Sequence, residues 1–228
     1  MRWSLALCVA SCLAVSVTAC QAAPKEGQQP PAPPPSAVAG PETPPPTPPP
    51  TLQPPAAPLL SAAEQTQLDQ ELITAAKANN APLVRELIAR GGNVNAKDAI
   101  QDSAFLYAGA EGYNEVLTLT LAAGADVAST NRYGGTALIP ASEHGHVETV
   151  QILIEAGVPV NHVNNLGWTA LQEAILLNSG GPRQQEVVRL LLEAGADPEI
   201  RDPEGRTALQ NAERLGFAGI AALIRSRG

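Results

Sequence analysis

The sequence predicts an all-α solenoid, built from stacked helix-turn-helix units, behind a non-globular N-terminal segment. Three observations carry this. The tripeptides Ser103-Ala104-Phe105, Thr136-Ala137-Leu138, Thr169-Ala170-Leu171 and Thr207-Ala208-Leu209 recur at spacings of 33, 33 and 38. Gly91, Gly124, Gly157 and Gly195 recur at the same three spacings. Two landmarks that share one register and one insertion are a repeat, and a fixed period of this size marks units that bury their apolar faces only by stacking. Third, residues 24–58 hold 16 of the 22 prolines. Such a stretch lacks the donors for helix or sheet ladders and the apolar surface to offset its ordering entropy.

Residues 1–19 are expected to be a targeting signal. Arg2 is followed by a mostly apolar, uncharged run from Trp3 to Val17 and then by small residues. That is the grammar of a secretory signal, and the run is short for a bilayer span. The sequence Val17-Thr18-Ala19-Cys20 resembles the lipobox of bacterial lipoproteins. The resemblance implies cleavage before Cys20, lipidation of its thiol and, with Gln21 rather than Asp following, an outer-membrane protein facing the periplasm. An ordinary cleaved signal, giving a secreted or periplasmic protein, is the alternative. The three cysteines are Cys8, Cys12 and Cys20, so an acylated mature chain would carry no free thiol, as suits an oxidising compartment.

Residues 20–60 are expected to be a disordered, proline-rich tether. About forty residues of polyproline II would reach roughly 120 Å at full extension. The globular part occupies 61–228, divided into a degenerate cap (68–98), repeats at 101–133, 134–166 and 167–204, and a C-terminal cap (205–228). Each first helix starts at a hydroxyl able to accept an orphan amide hydrogen bond, as at Thr136, Thr169 and Thr207. Thr169 with Gln172 and Thr207 with Gln210 read as capping boxes. Gly112, Gly145 and Gly216 close the first helices, with Asn79 and Asn178 in the same left-handed slot. Second helices carry apolar stripes at Val150, Leu153 and Ile154, and at Val188, Leu191 and Leu192. Glu115, Glu148 and Glu186 fall in their first turns, where they complement the helix dipole. Five extra residues near Asn178-Ser179-Gly180-Gly181-Pro182 predict a surface loop in the fourth unit.

The Gly-x-Thr-Ala-Leu entries, the run Gly145-His146-Val147-Glu148-Thr149-Val150 and the following Ala-Gly-Ala-Asp-Val pattern resemble ankyrin repeats over residues 68–228. The resemblance implies an ankyrin-repeat solenoid with β-hairpin fingers on one side. It also implies a concave face, of fingers and first helices, that binds another protein. Four positions depart from the family's Thr-Pro-Leu-His. Ala replaces Pro throughout, and Leu106, Ile139, Gln172 and Gln210 replace His. The inter-loop histidine network is therefore expected to give way to apolar packing or glutamine. Gln101 replaces a finger glycine, so that finger is expected to be irregular.

Composition excludes several functions. From residue 61 the chain has 12 Lys+Arg against 20 Asp+Glu, and an acidic domain without a basic run is a poor nucleic-acid binder. A metal site would need His144, His146 and His162 to converge from three different segments without acids at ligand spacing, so no metal and no cofactor is expected. His146 reads as structural and His162 as a solvated turn residue. Ser142, Glu143 and His146 fail as a hydrolase trio, because Gly145 separates them and no glycine elbow presents the serine. No enzyme activity is expected. Candidate partner-binding residues are those the family leaves variable: Arg132, Tyr133, Glu143, His144, Leu166, Trp168, Leu176, Leu177 and Arg206. Trp, Tyr and Arg dominate binding hot spots. Trp168 either meets a partner or packs on neighbouring fingers, and the two leucines either floor the groove or cover the inserted loop. The expected function is protein-protein interaction in the bacterial envelope. The alternative is a structural or protective role against peptidoglycan or a membrane complex.

Overall fold

A computed structural model describes residues 60–227. The expected signal at 1–19, Cys20 and the expected tether up to residue 59 lie outside the described residues. Ten helices follow in pairs: α1 (Ala62–Lys77) with α2 (Ala81–Ala89), α3 (Ala104–Glu111) with α4 (Asn114–Ala122), α5 (Leu138–Glu143) with α6 (Val147–Glu155), α7 (Ala170–Leu176) with α8 (Pro182–Glu193), and α9 (Ala208–Arg214) with α10 (Ala218–Arg225). The first helices α1, α3, α5, α7 and α9 pack side by side in one layer, and the second helices form the other. Phe105, Leu72, Leu117, Leu138, Leu153, Leu171 and Leu191 are fully buried along the seam, so the core is continuous from cap to cap.

Among the described residues there are no strands. The fingers are tight turns of one design. Asp98, Asn131, Asn164 and Asp202 each accept the amide hydrogen three residues on, and each donates its own amide to the carbonyl four residues on. The side chain repeats the pattern: Asn131 Oδ1 accepts from the amides of Tyr133 (2.9 Å) and Gly135 (3.0 Å), and Asn164 Oδ1 from Leu166 and Trp168 (both 3.0 Å). An Asx side chain thus satisfies the turn amides that a ladder would otherwise take. The 98–102 finger is regular, contrary to expectation. Asp98 Oδ1 accepts from Ile100 and Asp102, and Gln101 takes the left-handed φ of 65° that glycine takes in the other fingers.

Helix starts diverge in one unit. Ser103, Thr169 and Thr207 each accept the amide three residues on, and Thr207 with Gln210 completes a capping box. Thr169 makes only half of its box, because the Gln172 side chain donates instead to the carbonyl of Ile200 at 3.0 Å. Gln172 thereby supplies the inter-loop link expected of glutamine. Thr136 makes no cap: its buried hydroxyl has no hydrogen-bond partner. The cause is Pro140, which has no N–H for the Thr136 carbonyl. That carbonyl accepts from Ile139 at 3.2 Å instead, the first turn tightens, and α5 shrinks to six residues. Thr136→Val is therefore expected to be neutral or stabilising by up to about 1 kcal/mol, whereas Thr169→Val costs about 1 kcal/mol. Urea unfolding of the two variants checks this.

The insertion does more than form a surface loop. It extends α8 to twelve residues, so Glu186 sits beyond the first turn and pairs with Arg189. Gly180, not Asn178, takes the left-handed conformation (φ 67°), and a Cβ there would lie 2.5 Å from the Phe217 ring. Asn178 instead donates its side-chain amide to the Glu143 carbonyl at 2.8 Å. The loop is thus seated between the 134–166 repeat and the C-terminal cap.

Candidate interaction site

Three histidines are placed by backbone contacts. His146 is half-buried, with its ring packed under Gly112 and edge-on to His144 at 5.5 Å. His144 is exposed, and its Nδ1 lies 2.8 Å from the Ala110 carbonyl. His162 is not simply solvated: its Nε2 lies 2.6 Å from the Gly134 carbonyl, tying two fingers. A carbonyl only accepts, so each of these ring nitrogens carries a hydrogen. Among the described residues no group of three or more His, Cys, Asp or Glu converges as a metal site would require. Ser142 is buried and donates its hydroxyl to the Leu138 carbonyl at 2.7 Å.

Two adjoining hollows lie where the fingers meet α5 and α7. The first, of about 230 Å³, is lined by Tyr133, Ile139, Glu143, Leu166, Glu173 and Leu177, with Asn131, Gly135 and Asn164 completing it. The second, of about 260 Å³, lies over α3 and α5 and is lined by Tyr107, Arg132, Tyr133, Pro140, Glu143 and His144, among others. Asn131, Tyr133 and Glu143 form their common wall. Tyr133 is 51 % exposed, Leu166 50 % and Leu177 47 %. The Arg132 guanidinium lies over the Tyr133 ring, 4.7 Å from its centre, and 3.4 Å from Asp102, so it ties the ring to the neighbouring finger.

Six of the nine candidate residues therefore meet around the hollows. Trp168, Leu176 and Arg206 line neither. Trp168 is half-buried, its indole N–H buried without a partner. Leu176 is half-buried in the last turn of α7. Arg206 binds within its own unit, with Nε 3.3 Å from Asp202 of its finger and 2.9 Å from the Asn211 side chain of α9.

Sequence reasoning missed Glu173. It is 5 % exposed, accepts one hydrogen bond from Asn164 at 2.7 Å, and lines the first hollow. Burial first, and then the Glu143 charge, push its carboxyl up to about 7. One unit further on, the acid and the amide exchange places, with Asp202 at the Asn164 position and Asn211 at the Glu173 position, and that acid is met by a cation. Burial alone would raise the Asp202 carboxyl, but hydrogen bonds from Asn211 and the finger amides, with the Arg206 charge, hold it below the usual range. A signal was available in the register: the position of Arg206 is occupied one unit earlier by Trp168, which brings no charge.

Residues 105–202 match the family model for ankyrin repeats in three copies. The chain is 58 % identical to an ankyrin repeat domain of Acinetobacter baumannii AYE whose crystal structure is known; the match covers 69 % of this chain and 80 % of that one, with a TM-score of 0.68. EF0377, an ankyrin repeat protein of known crystal structure, is 41 % identical over 68 % of this chain and 78 % of its own, with a TM-score of 0.65. YahD of Escherichia coli (strain K12), named for ankyrin repeats, is 50 % identical over 58 residues, which is 25 % of this chain and 29 % of YahD. The repeat register, the paired helical layers and relatives that share most of their length with it lead to one conclusion: the chain belongs to the ankyrin repeat family.

Proposed function

We propose that this protein is a non-enzymatic protein-binding module, displayed in the bacterial envelope by a lipid on Cys20 and the proline-rich tether. Its finger-side face, centred on the two hollows, holds another protein. The observation that carries this reading is the grouping of Tyr133, Leu166 and Leu177, each about half exposed, around hollows flanked by Arg132 and Glu143. Single exposed apolar residues are ordinary, but a cluster with an aromatic-arginine pair at its edge is the composition of a contact surface. Ankyrin repeat domains are generally interaction modules, and the Ser142 hydroxyl is committed to the helix backbone. The envelope assignment rests on Arg2, the apolar run and the lipobox-like Thr18-Ala19-Cys20.

A photoreactive residue placed at Leu177, activated in intact cells, tests the contact surface. A defined protein adduct is expected from position 177 and none from position 151, which is exposed on α6. Equal adducts from both positions, or none, would remove the reading. Cys20→Ala is expected to abolish acyl labelling and release the protein from the membrane fraction; unchanged labelling would sink the anchor.

A further inference from the structure

The deepest feature of the first hollow is a buried carboxylate without a cation. Among the described residues, no ion pair reaches Glu143 or Glu173. Burying an unpaired charge is costly unless it is neutralised or hydrogen-bonded on all sides. Here one Glu173 oxygen accepts from Asn164, and the side chain faces the same hollow as Glu143. The rest of that wall is aliphatic and aromatic: Ile139, Leu166, Leu177 and Tyr133. The next unit carries the same hydrogen-bonded pair with acid and amide exchanged, and there Arg206 brings a guanidinium to the buried acid, Asp202.

We propose that the hollow between α5 and α7 is a socket for a basic side chain presented by the protein partner. Its alkyl stem lies along Leu166, Leu177 and Ile139, and its cation sits between Glu143 and Glu173. The proposal rests on the contact-surface reading above and names what that surface recognises. The net charge of −8 favours a basic partner and steers its approach. Long basic side chains suit a hollow that is apolar at the rim and acidic at the base, because stem and head are satisfied separately. The groups of this chain that could serve there face elsewhere: the Arg132 guanidinium is held by Asp102 and Tyr133 in the second hollow, and the His144 ring is turned to the Ala110 carbonyl.

The test uses the whole protein and four acetylated, amidated pentapeptides, Ala-Leu-X-Leu-Ala, with X as lysine, arginine, norleucine or glutamate. Carbon NMR of the Glu173 carboxyl and the Leu177 methyls reads binding. The lysine or arginine peptide is expected to bind at least tenfold more tightly than the norleucine peptide, and Glu173→Gln is expected to erase that difference. That variant keeps the acceptor for Asn164, so circular dichroism should be unchanged. Equal binding of the basic and norleucine peptides, or no binding by any peptide, would overturn the socket. So would a Glu173 signal that shifts on Lys25→Gln with no peptide present, because the occupant would then be this chain's own tail. If crosslinking at position 177 still captures a protein in any of these cases, the contact surface stands and only the basic-side-chain assignment falls.

Discussion

Glu173→Gln is expected to make the protein more stable at pH 8 and to change little at pH 4. The Glu173 carboxyl titrates at about 7 in the folded chain, against 4.5 for an ordinary glutamate. The folded state therefore holds the proton more tightly than the unfolded state. Between those two values the native chain binds more protons, so unfolding free energy falls as pH rises. The stability of the protonated carboxyl is fully present below about 4.5 and is lost as pH passes 7. A shift of this size corresponds to about 3 kcal/mol at pH 8. Glutamine removes the charge, keeps the acceptor for Asn164 and stays neutral at every pH. Thermal melts of both proteins from pH 4 to pH 8 should diverge steadily, the wild type falling away. Parallel curves would mean that Glu173 is solvated rather than buried. The same substitution should weaken binding, so the charge is a stability cost retained at a functional position.

Phe105→Ala is expected to cost about 3–5 kcal/mol, as truncation of a large, fully buried aromatic does. Phe105 has no exposure and sits in the first turn of α3, between the layers of the first full repeat. Its neighbours cannot collapse into the gap without losing register with α1 and α5, which flank α3. Because stability in a repeat stack is largely a sum of units and their interfaces, the loss should divide the protein. Hydrogen exchange should then show the units at 62–122 opening ahead of those at 170–225. Uniform loss of protection across all ten helices would indicate one indivisible cooperative block.

The architecture was readable because its signals are local and repeated. A threonine three residues before an amide, a glycine after an apolar stripe and a fixed period all survive without knowledge of neighbours. The exceptions have identifiable causes. The missing cap at Thr136 comes from Pro140, four residues on, a position that a hydroxyl-based rule does not inspect. The left-handed residue of the fourth unit moved from Asn178 to Gly180 because the insertion is seated against Phe217, a contact across units. The finger turns were legible in principle: Asp98, Asn131, Asn164 and Asp202 recur at the repeat spacing, and only the strand expectation obscured them.

The candidate site was half legible for a similar reason. Tyr133, Leu166 and Leu177 stand out as large apolar residues at positions where solvent is expected. Glu173 does not stand out, because an acid in the first turn of a helix is unremarkable. Its burial depends on the stacking of α5 against α7, and its charge environment on Glu143 from the preceding unit. Trp168, the most conspicuous residue in the sequence, lies half-buried outside the hollows. Residue type suggested a hot spot, but the finger geometry turned its main chain toward Asn164.

The most direct test of the account is the affinity of the protein captured at position 177 for three forms of the chain, measured by calorimetry. Wild type and Gln151→Ala are expected to bind alike. Tyr133→Ala combined with Leu177→Ala is expected to bind at least a hundredfold more weakly, with an unchanged melting temperature. Equal affinity for all three would place the contact on another surface and contradict the account.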